Sequence, residues 1–335
     1  MIYRRPWHPV PVALLVISLA LHLFTVILYV RLPIRFTAFT VFPIWVWGSI
    51  GLLLGIICFL IYRARFSLPL ILIWTFTILT LSDEARSLGR LGVEPLTHGP
   101  PEDHAGSRVL RVITLNCARS LNPLEALRGF EADIIFLQEI PHSYTLKNII
   151  NELFDGGGDY RYDEKKGCAI ITRGILNNEI IVPKYRSQML SVELPNGRNL
   201  QLLNVPLQPA ATNLRLFRRD CWQEHNENRQ LRQTELAYAL EVLKQKSGFP
   251  RIPTIIAGDF NAPANDIVYR LLQPEFTDAF SEVGTGWANT YHRSLPLLRI
   301  DHIYSSDKLV PVRSRAFKRG KSDHRMVVAD FVFRN

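Results

Sequence analysis

Ile255-Ile256-Ala257-Gly258-Asp259-Phe260-Asn261 is a short apolar run that ends in an acid and an amide two positions apart. A run of four to eight apolar residues bounded by turn formers reads as a buried strand. Strand alternation sends Asp259 and Asn261 to one side and Phe260 to the other. The same pattern recurs in Ile113-Thr114-Leu115-Asn116, in Ile134-Ile135-Phe136-Leu137-Gln138-Glu139 and in Arg299-Ile300-Asp301-His302. A fifth cluster, Ser322-Asp323-His324, leads directly into the run Met326 to Phe331. Acids, amides and an imidazole at strand ends gather on one rim of a sheet. That donor set can bind a divalent cation and break a phosphate ester.

Strands and helices alternate from Arg108 onward. Strands are expected over 108–116, 133–139, 167–172, 180–182, 188–194, 200–205, 254–258, 300–304, 310–314 and 326–333. Pro195-Asn196-Gly197 is the hairpin turn between two of them. Helices are expected over 123–129 and 143–154, near 266–272, and over 230–246, where Leu231, Ala237 and Leu240 to Leu243 supply an apolar side. The natural reading is a mixed sheet system with helices packed outside, one domain of about 235 residues.

The first third differs in composition. Val10 to Val30 is broken only by Ser18, His22 and Thr25, long enough to cross about 30 Å of hydrocarbon as a helix. Pro43 to Tyr62 is uncharged and carries Gly48, Gly51 and Gly55, a spacing that lets membrane helices approach closely. Phe66 to Leu81 is a third apolar stretch. The spacing therefore predicts three transmembrane helices, about 10–30, 43–62 and 66–82, followed by a linker over 83–107 and a catalytic domain over 108–335. A cleaved signal peptide fits the first run less well, because its core exceeds 7–15 residues and no small-x-small site follows. Arg4, Arg5, Arg63 and Arg65 on one side, against Arg31 and Arg35 on the other, place the domain outside the cytoplasm of a multi-pass inner-membrane protein.

The net charge of +9 is uneven, with +5 falling in residues 1–100. The basic balance therefore does not by itself identify a nucleic-acid surface. Cys58, Cys117, Cys168 and Cys221 show no zinc spacing, and one disulfide among the last three is open.

Each polar cluster has a plain reading and a chemical one. Asp259 and Asn261 either close a strand in an Asx turn, or orient water with the carboxylate and hold a phosphoryl oxygen with the amide. Gly258 would leave room for a ligand near the backbone. Glu139 is either a solvated strand end or an oxygen ligand for Mg²⁺; Asn116 is ambiguous in the same way. His324 is assigned to the phosphate, Asp301 to orienting its second nitrogen, and Asp323 to the metal side. His302 reads as a core histidine.

Taken together, Asn116, Gln138-Glu139, Gly258-Asp259-Phe260-Asn261, Arg299-Ile300-Asp301-His302 and Ser322-Asp323-His324 resemble the ordered motifs of the endonuclease/exonuclease/phosphatase superfamily, the deoxyribonuclease-I-like fold. The resemblance spans Arg108 to Phe333, and its membrane-anchored form is similar to a bacterial subgroup. It implies a four-layered α/β sandwich and Mg²⁺-dependent phosphoester hydrolysis, with Mn²⁺ as a substitute. By that similarity Glu139 binds the metal and Asp259 activates water. Asn116 and Asn261 hold the phosphate, and His324, held by Asp301 and flanked by Asp323, stabilises the developing charge.

Many members place a histidine or tyrosine where this chain has Leu203-Asn204-Val205-Pro206-Leu207. Asn204 donates hydrogen bonds but is no general acid, and His225, in the insert from Leu214 to Gln230, is the expected substitute. Arg215, Arg218, Arg219, Phe217 and Trp222 in that insert suit nucleic acid, an anionic lipid surface, or a surface helix with its aromatics packed down. The expected activity is a membrane-anchored phosphodiesterase or nuclease acting on nucleic acid or phospholipid, with no protein partner inferred. The alternative is a binding or scaffold protein that keeps the fold without turnover.

Overall fold

The structure, a computed structural model, describes residues 9–334 except 91, 100, 102, 121, 142–146, 183 and 210–212. Arg4 and Arg5, used above for orientation, and the expected helical start at Ser143 lie outside the described residues.

Twelve strands form the domain. They are β1 (Leu110–Asn116), β2 (Ile134–Gln138), β3 (Asp159–Asp163), β4 (Cys168–Thr172), β5 (Ile175–Ile180), β6 (Gln188–Glu193), β7 (Asn199–Asn204), β8 (Thr254–Asp259), β9 (Phe276–Asp278), β10 (Asp301–Ser306), β11 (Leu309–Phe317) and β12 (Met326–Phe333). They make two mixed six-stranded sheets, ordered β11-β12-β1-β2-β4-β3 and β5-β6-β7-β8-β10-β9. The β1–β2 and β7–β8 pairs are parallel and the other ladders antiparallel.

The sheets face each other over a core that includes Val112, Phe136, Leu202, Ile255, Ile303 and Phe331. Alternate residues of the same strands, such as Ile113, Ile135 and Ile256, face outer layers. Phe130 and Leu127 cover one sheet, and Leu236 and Leu243 of a long helix cover the other. Burial on both faces is why these strands read as continuous apolar runs instead of alternating ones. The α/β sandwich expected from the sequence is present.

Parity then places the polar residues. Asn116 shares a face with Val112, Gln138 with Phe136, Asn204 with Leu202, Asp259 with Ile255, and Asp301 with Ile303. All five therefore lie on the inner faces, where the apolar core gives way to a polar rim. His302 falls on the opposite parity, beside Phe260 and Tyr304.

Eight helices complete the chain: α1 (Pro9–Arg31), α2 (Thr37–Thr40), α3 (Ile44–Leu60), α4 (Leu68–Leu81), α5 (Asp83–Leu88), α6 (Lys147–Phe154), α7 (Arg219–Lys246) and α8 (Ala279–Val283) among the described residues. The three expected spans are corrected here. Only α1 is long and apolar enough to cross a membrane as one helix; Ile34–Thr40 and Ile44–Leu60 form a pair bent by 67°, and Arg65–Leu81 is shorter. Pro43 explains the break, since it lacks an N–H and its ring disfavours helical Phe42. The helices that fill the second and third expected spans, α3 with 17 residues and α4 with 14, are too short to cross alone. The multi-pass, extracytoplasmic placement loses its support with the second and third spans.

The helices α1, α3 and α4 still pack together, through small residues. A Cβ on Gly51 would sit 2.1 Å from the Trp74 indole, and one on Gly48 2.6 Å from Ile78. Ser18, Thr25, Trp74 and Thr77 are buried, whereas Val16, Leu23, Leu53, Leu72 and Phe76 point outward. Hydroxyl side chains and glycines share the bundle's interior with Leu28, Leu70 and Trp74, and its outside is apolar where a water-soluble bundle is polar.

The expected linker is a packed segment. Arg90 donates to the backbone oxygens of Phe280, Ser281 and Gly284, and Leu96 lies in an outer core. The expected strand at 180–182 is instead the end of β5, which starts at Ile175. The Leu214–Gln230 insert is largely the start of α7. Among the described residues all four cysteines are free and buried.

Candidate active site

Asp259 ends β8 and Asp301 opens the neighbouring β10, directly opposite it in the ladder. His324 precedes β12 in the other sheet. Its Nδ1 bonds Asp301 Oδ2 at 2.9 Å while Nε2 lies 3.9 Å from Asp259 Oδ2. Ser322 fixes this turn, donating to the Asn116 carbonyl at 2.6 Å and accepting from the His324 N–H. Asn116, at the end of β1, reaches across from the first sheet and donates to Asp259 Oδ2 at 2.9 Å and to Glu139 Oε1 at 3.3 Å. The Asn261 N–H donates to Asp259 Oδ1 at 2.9 Å, the Asx turn anticipated for that sequence.

The rim backbone is strained. Ala118, Arg119, Glu139 and Asn261 all have φ between 48° and 55°. Each such conformation costs on the order of 1–3 kcal/mol and clusters where function requires it.

Burial, then the neighbouring Asp301 carboxylate, pushes the Asp259 carboxyl up to about 7, against the pull of His324 and Asn116. Burial opposes charge on His324, but Asp301 and then Asp259 outweigh it and push the imidazole up to about 10. A carboxylate poised near neutrality beside a cationic imidazole is an acid–base pair set by environment.

These groups open into a cavity of about 600 Å³, lined by Glu139, Asp259, Asn261, Asp323 and His324. The residues expected from the sequence, Asn116, Glu139, Asp259, Asn261, Asp301, Asp323 and His324, meet at one rim, and their hydrogen bonds constrain what each can do. Both N–H groups of Asn116 serve carboxylates, so it positions Asp259 and Glu139 and does not hold phosphate. Asn261 spends one N–H on the Leu207 carbonyl. The space at Gly258 belongs to the chain itself, since a Cβ there would meet the Val205 oxygen at 2.4 Å.

Asn204 is buried and staples the sheets. It accepts from Gln138 Nε2 and donates to the Leu137 and Ala169 carbonyls. His225 does not substitute for the missing imidazole, since its Nε2 bonds the Asn213 carbonyl at 2.8 Å and it is not among the cavity's lining residues. His302 bonds Asp278, Arg299 and Tyr269, as a core histidine does. The groups sequence reasoning missed are Tyr291 and His292, which line the cavity. The Tyr291 ring lies 5.1 Å from His324. No strand or turn signal marks their irregular loop.

For a divalent cation, the ligand atoms that converge most closely among the described residues belong to Asp259, Asp301 and His324, within 4.8 Å of one another. In that group His324 Nδ1 is already engaged by Asp301. Glu139 stands partly open on the same cavity, and the buried Oδ1 of Asp323 has no hydrogen-bond partner. That Oδ1 lies 4.0 Å from His324 Nε2, and with Glu139 on the same cavity the lining offers two carboxylates of the kind a hard cation takes.

The sequence profile of the Endonuclease/Exonuclease/phosphatase family matches residues 113–324. The chain belongs to this family, a class of phosphoesterases and nucleases that generally use divalent metals. No curated protein matches it. Among solved structures it is similar to a conserved protein of unknown function from Enterococcus faecalis, at 16% identity and TM-score 0.51, covering 67% of this chain and 100% of that one. A mannosyl-6-phosphatase from Bacteroides thetaiotaomicron gives the same four values. The human Nocturnin catalytic domain, with bound sulfate, gives 18% identity and TM-score 0.50 over 68% of this chain and 95% of that one. At such identities the likeness concerns the fold.

Proposed function

We propose that the chain is a metal-dependent phosphodiesterase, acting on nucleic-acid or lipid phosphodiesters and held at a membrane by its N-terminal bundle. The observation that carries this reading is the meeting of Asp259, Asp301 and His324 from both sheets, with Asp259 and His324 on the floor of one cavity and Asp301 buried behind the imidazole. Asp259, steered by the Asn116 amide and the Asn261 N–H, takes the proton of the attacking water. The water oxygen bonds phosphorus, and the P–O bond to the leaving group breaks with its electron pair moving to that oxygen. The proton the leaving oxygen requires comes from His292 in the cavity wall, which solvent then reprotonates. His324, kept cationic by Asp301, neutralises charge developing on the phosphoryl oxygens.

Glu139 and Asp323 are the side chains that would hold Mg²⁺, or Mn²⁺ in its place. When bound, the cation supplies charge neutralisation at the phosphate. The full chain in detergent should hydrolyse bis(p-nitrophenyl) phosphate with Mg²⁺, and Asp259→Asn or His324→Gln should each lower kcat by about 10²–10⁴-fold. Equal rates in wild type and both variants would sink the assignment. Ligand binding without turnover would favour a scaffold.

A further inference from the structure

The wall of the catalytic cavity is apolar, and part of it comes from the N-terminal bundle. Val41, Phe42, Pro43 and Val46, at the 67° break before and into α3, face Asp259 and His324 across the cavity. Leu214, Leu295 and Leu297 continue that wall on the domain side, each exposed at 41–71%. A soluble enzyme for a small polar ester has no use for exposed leucines at its mouth. The bundle that supplies part of this wall is itself apolar outward, with Leu23, Ile27, Leu53 and Phe76 exposed.

The bundle is fixed against the domain. Arg229 Nη2 donates to Thr40 Oγ1 at 2.9 Å, Arg270 donates to the Val30 carbonyl, and the Phe36 and Trp222 rings meet at 6.0 Å. Glu84 Oε1, just beyond α4, accepts from Trp45 in the first turn of α3 and from Asn289 in the loop that carries Tyr291. One carboxylate therefore ties both walls of the cavity together. Part of the insert is taken up in this seam: Arg229 is fully buried on Asp266 and Trp222 packs on the bundle, while Arg215, Phe217, Arg218 and Arg219 stay exposed outside the groove's lining. Among the lining residues the only arginine or lysine is Arg119. A nucleic-acid strand needs a continuous cationic track beneath its stacked bases, and the described lining of this groove, with Phe42 and Tyr291 as its aromatics, lacks that track.

We infer that the substrate is a membrane lipid bearing a phosphoester, its phosphate on the Asp259–His324 floor and its acyl chains along Val41–Val46 and Leu295–Leu298, entering from the bilayer that surrounds the bundle. This rests on the phosphodiesterase reading above and narrows its substrate. The reaction is the hydrolysis already written: water adds to phosphorus, the ester oxygen leaves with the bonding pair, and an alcohol and a phosphate product separate.

The test uses the full chain in nanodiscs and in detergent, with Mg²⁺. Its substrates are monomeric phosphatidylglycerol and phosphatidylethanolamine of increasing chain length, bis(p-nitrophenyl) phosphate, and a single-stranded oligonucleotide. kcat/KM for the lipids should rise by roughly three- to fourfold for each methylene buried against the wall, until the groove is filled. Val46→Glu in the bundle, or Leu297→Ser on the domain should the first variant misfold, should lower the ratio of lipid to bis(p-nitrophenyl) phosphate turnover by at least about tenfold. Hydrolysis of the soluble ester or the oligonucleotide without chain-length dependence would overturn the lipid assignment and leave the phosphodiesterase intact. Inactivity toward every ester would overturn both.

Discussion

Asp301 lies opposite Asp259 across the β8–β10 ladder, and His324 is held by the first while facing the second. Two inward-facing carboxylates in register cannot both be ionised cheaply without a cation between them. The imidazole supplies it. Asp259 must be ionised to accept a proton, so kcat/KM should climb as pH rises through about 7. His324 must stay charged, so the rate should fall again towards about 10. Asp301→Asn removes the strongest influence raising the imidazole and should bring the alkaline limb down by a unit or more. An alkaline limb unmoved in Asp301→Asn would refute the coupling.

Asn116 spans the two sheets, with its amide on Asp259 and Glu139. Asn116→Ala leaves both carboxylates unsteered while preserving the charge count. Outer-shell losses of this kind typically cost about 10–100-fold in metal affinity or activity. The Mg²⁺ concentration for half-maximal rate should therefore rise along with the loss in kcat. A change in KM alone would place Asn116 on the substrate instead.

Much of this rim was legible in the strand ends, because burial on both faces forces an uninterrupted apolar run that stops visibly at the polar rim. Parity related residues within each strand, and the pairing of β8 with β10 and the packing of the two sheets then put Asn116, Asp259 and Asp301 on facing sides. What could not be read was which amides are already spent, since the bonds of Asn204 to Leu137 and Ala169 join segments far apart in sequence. The early ends of α3 at Leu60 and of α4 at Leu81 were equally unmarked, since apolar composition sets no helix length. So was the packing of the 83–107 segment, which looked like a tether because its anchors, such as Arg90 on the α8 carbonyls, are backbone groups with no sequence signature.

Arg299 is buried between Asp278 and Asp83, joining the domain to the segment leaving the bundle. Burial works against the Asp278 carboxylate, but Arg299 and then His302 hold it well below the ordinary range. An acid depressed in the folded state stabilises the protein above its unfolded pKa, near 4, and that stability is lost as pH falls below it. Arg299→Met strands two carboxylates and should cost about 3–5 kcal/mol. Asp278→Asn should flatten the fall in unfolding temperature between pH 5 and pH 2 (about the carboxylate range). Identical acid profiles in wild type and Asp278→Asn would refute this.

Gly51 lies under the Trp74 indole, whose Nε1 donates to Ser18 Oγ, which in turn donates to the Gly51 carbonyl. A methyl group there collides with ring atoms at 2.1–2.4 Å. Gly51→Ala should therefore separate α3 from α4 and break both hydrogen bonds. Each buried group left unpaired costs about 1–3 kcal/mol. The unfolding temperature in detergent should drop clearly, whereas Leu53→Ala, on the outward face, should leave it nearly unchanged. Equal effects from the two would contradict this division of the bundle into inner and outer faces.

The proton donor to the leaving group is the last point to test. Asn204 and His225 are both committed elsewhere, which leaves Tyr291 and His292 in the cavity wall. Burial, with Asp323 and Asp259 nearby, pushes the Tyr291 phenol up, so it stays protonated and donates without giving up its proton. An imidazole is the side chain suited to proton transfer near neutrality. His292→Ala should therefore lower kcat by roughly 10²-fold for esters with poor leaving groups. It should spare p-nitrophenyl esters, whose leaving group departs unprotonated. Tyr291→Phe should instead affect both ester types alike. A uniform loss in His292→Ala would make His292 a binding residue and leave proton delivery to water.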